Sequence, residues 1–336
     1  MSVKDKVLLL LEENKNKPLS GEELADTLGC TRAAVWKAVK TLQADGYKIA
    51  AVNNKGYTLE KSSDVLSEAY INEKVKAAGF DIEISTKKTV DSTNNILKAK
   101  AANGYQKDCI LIAEEQTAGK GRRGRSFFSP AHTGIYLSFL LHPKTSVVEA
   151  SMLTTLAVTA EALAIEAVSK NQTKIKWVND LWMREKKVSG ILTEAGTSIE
   201  DGSLEYAVVG IGINLYEPDG GFPDEIKDIA GSVFTDNIAR ENLRNNVASE
   251  LIINFLKFYY TEAENGKISR SFLDNYKERS FVIGKKVSFL TPDHEVIEGN
   301  HASATVLGIN ENCHLHVKYD DGTEDILSNG EISIKL

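Results

Sequence analysis

The stretch Gln116-Thr117-Ala118-Gly119-Lys120-Gly121-Arg122-Arg123-Gly124-Arg125 places three glycines and four cations in ten residues and contains no acid. Glycine lets backbone N–H groups approach anionic oxygens, and guanidinium groups supply forked, permanently charged donors for phosphate or carboxylate. Composition alone leaves three readings open: a small-anion site, a nucleic-acid contact and a solvated loop. The flanking sequence favours the first. Apolar runs at 110–113 and 135–140 read as buried strands, so the loop leaves the end of a sheet, where ligand sites of α/β folds lie.

Outward from the loop, strands and helices alternate. A strand runs to Val90, a helix starts at Asn94, and strands follow at 109–114 and 134–141, then a long helix at 147–168. Further strands are expected at 173–177, 188–194 and 205–215, and Leu243, Val247, Leu251, Phe255 and Tyr259 mark another helix. This pattern predicts a central mixed α/β domain over 66–278. Short β runs at 287–290, 302–309, 315–319 and 332–335 predict a small, SH3-like β-barrel over 282–336.

Before the linker at 61–64 the text differs. A helix over 3–13, a second ending near Leu28 and a third capped by Thr31, with Ala34, Val35, Ala38, Val39 and Leu42 on one face, read as helix, tight turn, helix. Alternation around Asn53-Asn54-Lys55-Gly56 then predicts a hairpin, so residues 1–62 form a winged helix-turn-helix unit. The expected whole is an α/β multidomain chain.

A net charge of −7 argues against a chain that coats nucleic acid, so any DNA contact must come from a local patch. That patch is present: Arg32, Lys37, Lys40 and Lys48 stand against Asp45 alone between residues 31 and 48. Thr31, Arg32, Trp36, Lys37 and Lys40 on the third helix, with Lys55 on the wing, are the candidate DNA-binding residues. A solvated helix in a protein-interaction module is the blander alternative. Paired half-sites would require a two-fold homodimer.

Runs such as 7–11 and 135–141 fall short of the roughly 20 apolar residues of a membrane span, and no secretory cleavage pattern is seen, so a cytoplasmic protein without membrane contact is expected. Cys30, Cys109 and Cys313 are odd in number and far apart, and the six histidines avoid the candidate segments, so no resident metal site is expected.

Three more segments supply polar groups near strand ends: Asp91-Ser92-Thr93-Asn94; Lys176-Trp177-Val178-Asn179-Asp180 with Lys187 and Gly190; and Gly210-Ile211-Gly212-Ile213-Asn214. These segments, in this order with the Gly/Arg loop, resemble the biotin protein ligase family, in particular its bifunctional bacterial ligases that also repress the biotin operon. The resemblance covers essentially the whole chain. It implies that biotin and MgATP give biotinyl-5′-adenylate and that an acceptor lysine displaces AMP. The implied partners are the biotin carboxyl carrier domain of acetyl-CoA or pyruvate carboxylase, biotin operator DNA and a second copy of the chain, with dimerisation promoted by the adenylate.

Attack of a carboxylate on the α-phosphate joins two anions, so fixed cations must neutralise charge, and Arg122 and Lys187 are the leading catalytic candidates. By resemblance, Ser92, Thr93, Asn94 and Gln116 hydrogen-bond the biotin head group, the backbone from Lys120 through Gly121 to Arg122 lines its chain, and Lys187 belongs to the biotin site. Ser92 reads equally well as a helix N-cap. Arg122, Phe127, Asn179, Lys187 and Asn214 are assigned to ATP or the adenylate, with Phe127 as an aromatic wall, although plain packing also suits Phe127. Asp180 would orient or deprotonate the acceptor lysine. Lys120, Val178 and Phe127 stand where the family commonly has arginine, proline and tryptophan. Lipoate ligation and a sensor without catalysis are the rival readings.

Overall fold

The computed structural model describes residues 2–15, 17–52, 55–60, 64–143, 145, 149, 152–197, 204–236, 238, 240–261, 268–290, 297, 299, 301–328, 330 and 332–333. Helices α1 (Val3–Glu13), α2 (Gly21–Leu28) and α3 (Arg32–Ala44) begin at Ser2, Ser20 and Thr31, whose hydroxyls accept from the backbone N–H three residues on. Such caps satisfy donors that a helix start leaves open, each for about 1 kcal/mol. Val7, Leu11, Leu24, Val35, Leu42, Ile49 and Leu59 close a separate small core.

Strands β1 (Ile49–Val52) and β2 (Gly56–Leu59) pair antiparallel as the wing. Gly56 has φ +107°, and a Cβ there would sit 2.0 Å from the Leu19 carbonyl oxygen, so this corner requires glycine. The expected turn residues Asn53 and Asn54 lie outside the described residues, as do 61–63 of the linker.

The central sheet orders β3 (Glu83–Val90), β4 (Cys109–Gln116), β5 (Gly134–Leu141), β9 (Leu204–Asn214), β8 (Lys186–Thr197), β7 (Asp180–Met183) and β6 (Lys174–Lys176). Only β3 and β4 run parallel; every other neighbouring pair is antiparallel. Side chains alternate across a sheet, and both faces here are covered. Ile110, Ile112, Ile135, Leu137 and Phe139 face helices α4 (Glu68–Ala77), α6 (Met152–Ser169) and α7 (Leu243–Leu256), while Cys109, Leu111, Leu140 and Val208 face α5 (Thr93–Ala102). All eight residues of β5 are consequently buried, which is why that stretch reads as an unbroken apolar run.

Helix α6 is long and apolar enough by length and composition to cross a membrane, which the survey of apolar runs did not reveal. Thr154, Thr155, Thr159 and Glu161 interrupt its apolar text, and the helix lies buried against the sheet. Residues 147, 148, 150 and 151 of the expected helix lie outside the described residues.

Helices α4 and α8 (Leu273–Arg279) and strands β7 and β13 (Glu324–Leu327) were not anticipated. A Ser67 cap followed by Ile71 and Val75 at helical spacing was the readable signal for α4. Beyond α8, β10 (Lys286–Phe289), β11 (Ser303–Ile309), β12 (Leu315–Tyr319), β13 and β14 (Ile332–Ser333) form a five-stranded antiparallel sheet in the order β13-β12-β11-β10-β14. Its core residues, among them Val287, Val306 and Val317, belong to the same apolar cluster as the central sheet.

The start of α7 ties these parts together. The Asn242 side chain donates to Glu12 of α1 at 2.7 Å. Arg244, fully buried, donates to Glu114 at 2.6 Å and to the Gly134 carbonyl at 2.9 Å, and its backbone N–H donates to Asp64 at 2.9 Å. Asn245 accepts from the Ser67 N–H at 2.7 Å and donates to the Val65 carbonyl at 2.8 Å. Asp64, read from the sequence as part of a polar linker, is therefore fastened to the sheet domain. A cleft of about 990 Å³ lies between the helix-turn-helix unit and the sheet domain, and the Asp45–Lys88 ion pair, at 3.1 Å, spans it, with Lys4 on the same carboxylate at 3.2 Å.

Candidate active site

The site lies on the α5 face of the sheet, over strands unusually poor in side chains. Gly190 and Gly212 are direct cross-strand partners, and Gly210 lies two residues along β9 on the same face. A Cβ at Gly212 would meet the Phe127 ring at 2.5 Å, one at Gly210 would meet Asn94 Oδ1 at 2.1 Å, and one at Gly190 would meet Lys187 Nζ at 3.1 Å. The Gly-x-Gly-x-Asn segment thus forms a floor on which three candidate side chains lie flat.

One group of polar residues gathers where α5 begins. Gln116 Oε1 accepts from the Thr93 N–H at 2.9 Å and from its hydroxyl at 3.1 Å, while Gln116 Nε2 donates to Ser129 at 3.1 Å. Ser138 lies within 2.7 Å of the Thr93 hydroxyl and 2.6 Å of Asn94 Oδ1. Asn94 Nδ2 donates to Glu194 at 2.8 Å, and Lys98 pairs with the same carboxylate. Burial raises the Glu194 pKa, but the hydrogen bonds from Lys98 and Asn94, with the charges of Lys98 and Lys120, outweigh it and hold the group below its ordinary range. Ser92 is buried and holds the N-cap position of α5, where its carbonyl accepts from the Ile96 N–H at 3.1 Å, but its side chain makes no capping bond and so stays available to a ligand.

A second group surrounds a small cleft of about 90 Å³ lined by Lys120, Gly121, Arg122, Phe127, Asn179, Asp180 and Lys187, among others. The Gly/Arg loop folds over it as a narrow hairpin: Gly121 N–H donates to the Arg125 carbonyl at 2.7 Å, and Phe127 N–H to the Gly119 carbonyl at 2.8 Å. Arg122 Nη1 reaches across to Asn179 Oδ1 at 2.8 Å, and Asn179 Nδ2 anchors on the Ile191 carbonyl at 2.9 Å. Lys187 pairs with Asp180 at 2.7 Å. Phe127 is half-buried and meets Tyr136 edge to face, so the sequence alternatives of packing and cleft wall are both realised in one ring.

Asn214 is placed differently from the other candidates. It faces the same side of β9, but its amide donates to the Gly231 carbonyl at 3.1 Å, and it does not line the cleft. Ser138, Ser129, Lys98 and Glu194 were not legible in the sequence, because a lone serine or an ion pair between a helix and a distant strand carries no motif. Among the described residues no group of three or more His, Cys, Asp or Glu side chains gathers to hold a metal ion.

Residues 86–214 match the biotin/lipoate A/B protein ligase family, and residues 4–58 match a helix-turn-helix domain family. The chain is 38% identical over 215 residues to the bifunctional ligase/repressor BirA of Bacillus spizizenii, and 35% identical over 251 residues to that of Bacillus subtilis. Those alignments cover 64% and 74% of this chain and 66% and 76% of the relatives. The chain belongs to the bifunctional ligase/repressor family.

A solved biotin protein ligase of Aquifex aeolicus, in complex with biotin and ATP, superposes on this chain with a TM-score of 0.57 at 27% identity, covering 75% of this chain and 98% of that one. As a family member the chain is an enzyme of the biotin–protein ligase class carrying a helix-turn-helix domain. The glycine floor, the Thr93–Asn94–Gln116 cluster and the Arg122 loop all belong to, or adjoin, the ligase-matched segment.

Proposed function

We propose that the chain joins biotin to the α-phosphate of ATP, forming biotinyl-5′-adenylate and pyrophosphate, and passes the biotinyl group to a lysine of a biotin carboxyl carrier domain of acetyl-CoA or pyruvate carboxylase. The observation that carries this reading is the convergence of Arg122 and Lys187, from different parts of the chain, on one cleft with Asn179 and Asp180. Two fixed cations there lower the cost of bringing a carboxylate against a phosphate. The adjoining cluster of Ser92, Thr93, Asn94 and Gln116 offers both donors and acceptors to a ureido ring. Lys120 and Gly121 would line the ligand's chain, and Phe127 would stack against adenine.

The cleft is far smaller than the roughly 300–1,000 Å³ of ordinary ligand pockets, so binding would open the Lys120–Arg125 hairpin and exchange the Arg122–Asn179 bond for bonds to ligand. Magnesium would arrive on the triphosphate, which supplies most of its oxygen ligands, with Asn179 in the cleft, and Asn214 once its amide leaves the Gly231 carbonyl, as protein partners. Asp180 would be released as Lys187 turns to the phosphates, and would then orient or accept a proton from the acceptor lysine.

The domain arrangement we propose is a DNA-binding unit over 1–62, a ligase domain over 66–278 and a small SH3-like barrel over 282–336 that lends Gly330 and Ile332 to the cleft wall. Thr31, Arg32, Trp36, Lys37, Lys40 and Lys55 would contact biotin operator DNA in a homodimer promoted by the adenylate, inside the cytoplasm. All six are exposed, opposite the buried Val35, Ala38, Val39 and Leu42.

Biotin-dependent exchange of pyrophosphate into ATP tests the first step. Exchange with biotin and none with lipoate is expected; exchange with lipoate alone would favour the rival ligase, and none with either would favour the sensor without catalysis. Gly210→Ala should force Asn94 off Ser138 and Glu194 and weaken biotin binding by roughly tenfold or more, the scale of one or two buried hydrogen bonds. Calorimetry showing unchanged biotin affinity in that variant would remove Asn94 from the head-group site.

A further inference from the structure

Glu161 is the one acid on the buried face of α6, wholly shielded from solvent among Leu156, Ala157, Val158, Ala160, Ala162, Ala164 and Ile165. Neither carboxyl oxygen makes a well-formed hydrogen bond, and the polar group that acts on the carboxyl, the Ser189 hydroxyl of β8, is itself buried and makes none. A pair of unsatisfied buried groups is costly, and in a native fold it calls for a reason beyond packing. Position supplies one. Ser189 pairs with Leu181 and Ile213, whose side chains point into the α6 side of the sheet, while Lys187, Asp180 and Gly190 line the cleft on the other side. Glu161 therefore lies behind the Asp180–Lys187 ion pair, across one thickness of sheet.

We propose that Glu161 is a positioning residue that, from the reverse face of the sheet, sets how firmly Lys187 is held and hence how readily it turns to an anionic ligand. This rests on the reading of the cleft as the site of ATP and adenylate. With Glu161 uncharged, Asp180 is the one anionic partner of Lys187 among the described residues, and a phosphate can displace it. Once Glu161 ionises, a second negative charge in a region of low dielectric draws Lys187 back and repels the incoming phosphate.

Burial pushes the Glu161 carboxyl up to about 8; Asp180 adds to the rise, and Ser189 and Lys187 act against it. Asp180 of β7 and Lys187 of β8 are the charged groups acting on it. On α8, which packs on the same helix, Tyr276 is the buried titratable group; burial pushes it well above its ordinary range, and its hydroxyl donates to the Val178 carbonyl at 3.2 Å. Helix α7 places its buried charge, Arg244, at its own start on Glu114, and Glu205 on β9 is exposed. The acid is thus neutral near neutral pH and ionises in mild alkali.

The experiment compares the full-length natural chain with Glu161→Gln, which copies the shape of the neutral acid. The KM for ATP in biotin-dependent pyrophosphate exchange should rise about threefold to tenfold for the natural chain between about pH 7 and pH 9, as expected of one added buried charge, and stay level in E161Q. Equal alkaline rises in both proteins, or an equal loss at every pH in E161Q, would overturn the proposal.

Thermal unfolding gives a readout independent of activity. The folded chain keeps a proton that the unfolded chain loses between about pH 4.5 and about 8, so the natural chain loses stability across that window as pH rises. E161Q should gain Tm over the natural chain in step with pH, and a pH-independent difference would count against the proposal. If E161Q does not fold, infrared titration of the natural chain decides: a protonated-carboxyl band persisting at neutral pH and lost near pH 8 supports the proposal, and its absence overturns it. Absence of exchange at every pH, with the Tm trend present, would instead reject the ligase reading while leaving a neutral Glu161 in place.

Discussion

Lys187→Ala lowers adenylate formation by about 100-fold, the scale seen when one preorganised donor to a developing anion is removed. Two effects combine in this variant. The cation that would neutralise the phosphate is lost, and the carboxylate of Asp180, which holds Lys187 at 2.7 Å, loses that partner at the mouth of an anion site. The fold should survive, because Lys187 is held in β8 by its backbone, with its N–H donating to the Ile229 carbonyl and its carbonyl accepting from Gly231. Arg122→Gly should also lower adenylate formation, by at least about tenfold, since it removes the fork that closes the loop onto Asn179. Single-turnover measurement of adenylate on folded protein checks both, and undiminished formation in Lys187→Ala would take that residue out of the chemistry.

Arg244→Ala should destabilise the chain by about 3–5 kcal/mol, the usual cost of stranding a buried charge, against a total stability of about 5–15 kcal/mol. The guanidinium holds Glu114 and the Gly134 carbonyl together, and its charge faces Asp64. Burial pushes Asp64 above the ordinary carboxylate range, and the Arg244 N–H and charge pull it partway back. Without that charge the folded-state pKa of Asp64 rises further above its unfolded value. The penalty therefore grows as pH rises from the unfolded pKa toward neutrality and shrinks in mild acid. Thermal unfolding should show a Tm roughly 10 °C lower near neutral pH, with a smaller gap near pH 4. A drop under about 2 °C would mean that Asp64 and Glu114 find other partners.

The sequence disclosed most where one short segment carries its own reason. Thr31 before an apolar helical face, the Asp45-Gly46 break and the unbroken run of β5 all lie where they were expected. The Gly/Arg loop and Lys187 could be named as site candidates because charge and glycine in a fixed order resemble a known family. Contacts between distant segments were not legible. Nothing near Asn242-Leu243-Arg244-Asn245 in the text announces that it grips Glu12, Asp64, Ser67 and Glu114, because the partners lie more than a hundred residues away. Ser138 was hidden within an apolar strand, and only the fold shows that it meets Thr93 and Asn94. Asn214 is the converse case: its motif was readable, but not that its amide donates to the Gly231 carbonyl, a partner seventeen residues on.

In the proposed reaction one cleft, closed by Arg122 and floored by glycines, would both make and transfer an activated biotin. Incorporation of labelled biotin into a purified biotin-acceptor domain, with ATP and Mg²⁺, tests it most directly when the natural chain is compared with Lys187→Ala and Arg122→Gly. Transfer by the natural chain that falls at least about tenfold in each variant, about 1.4 kcal/mol of transition-state stabilisation, is the predicted result. No transfer by folded natural protein, or equal transfer by all three, would contradict the account.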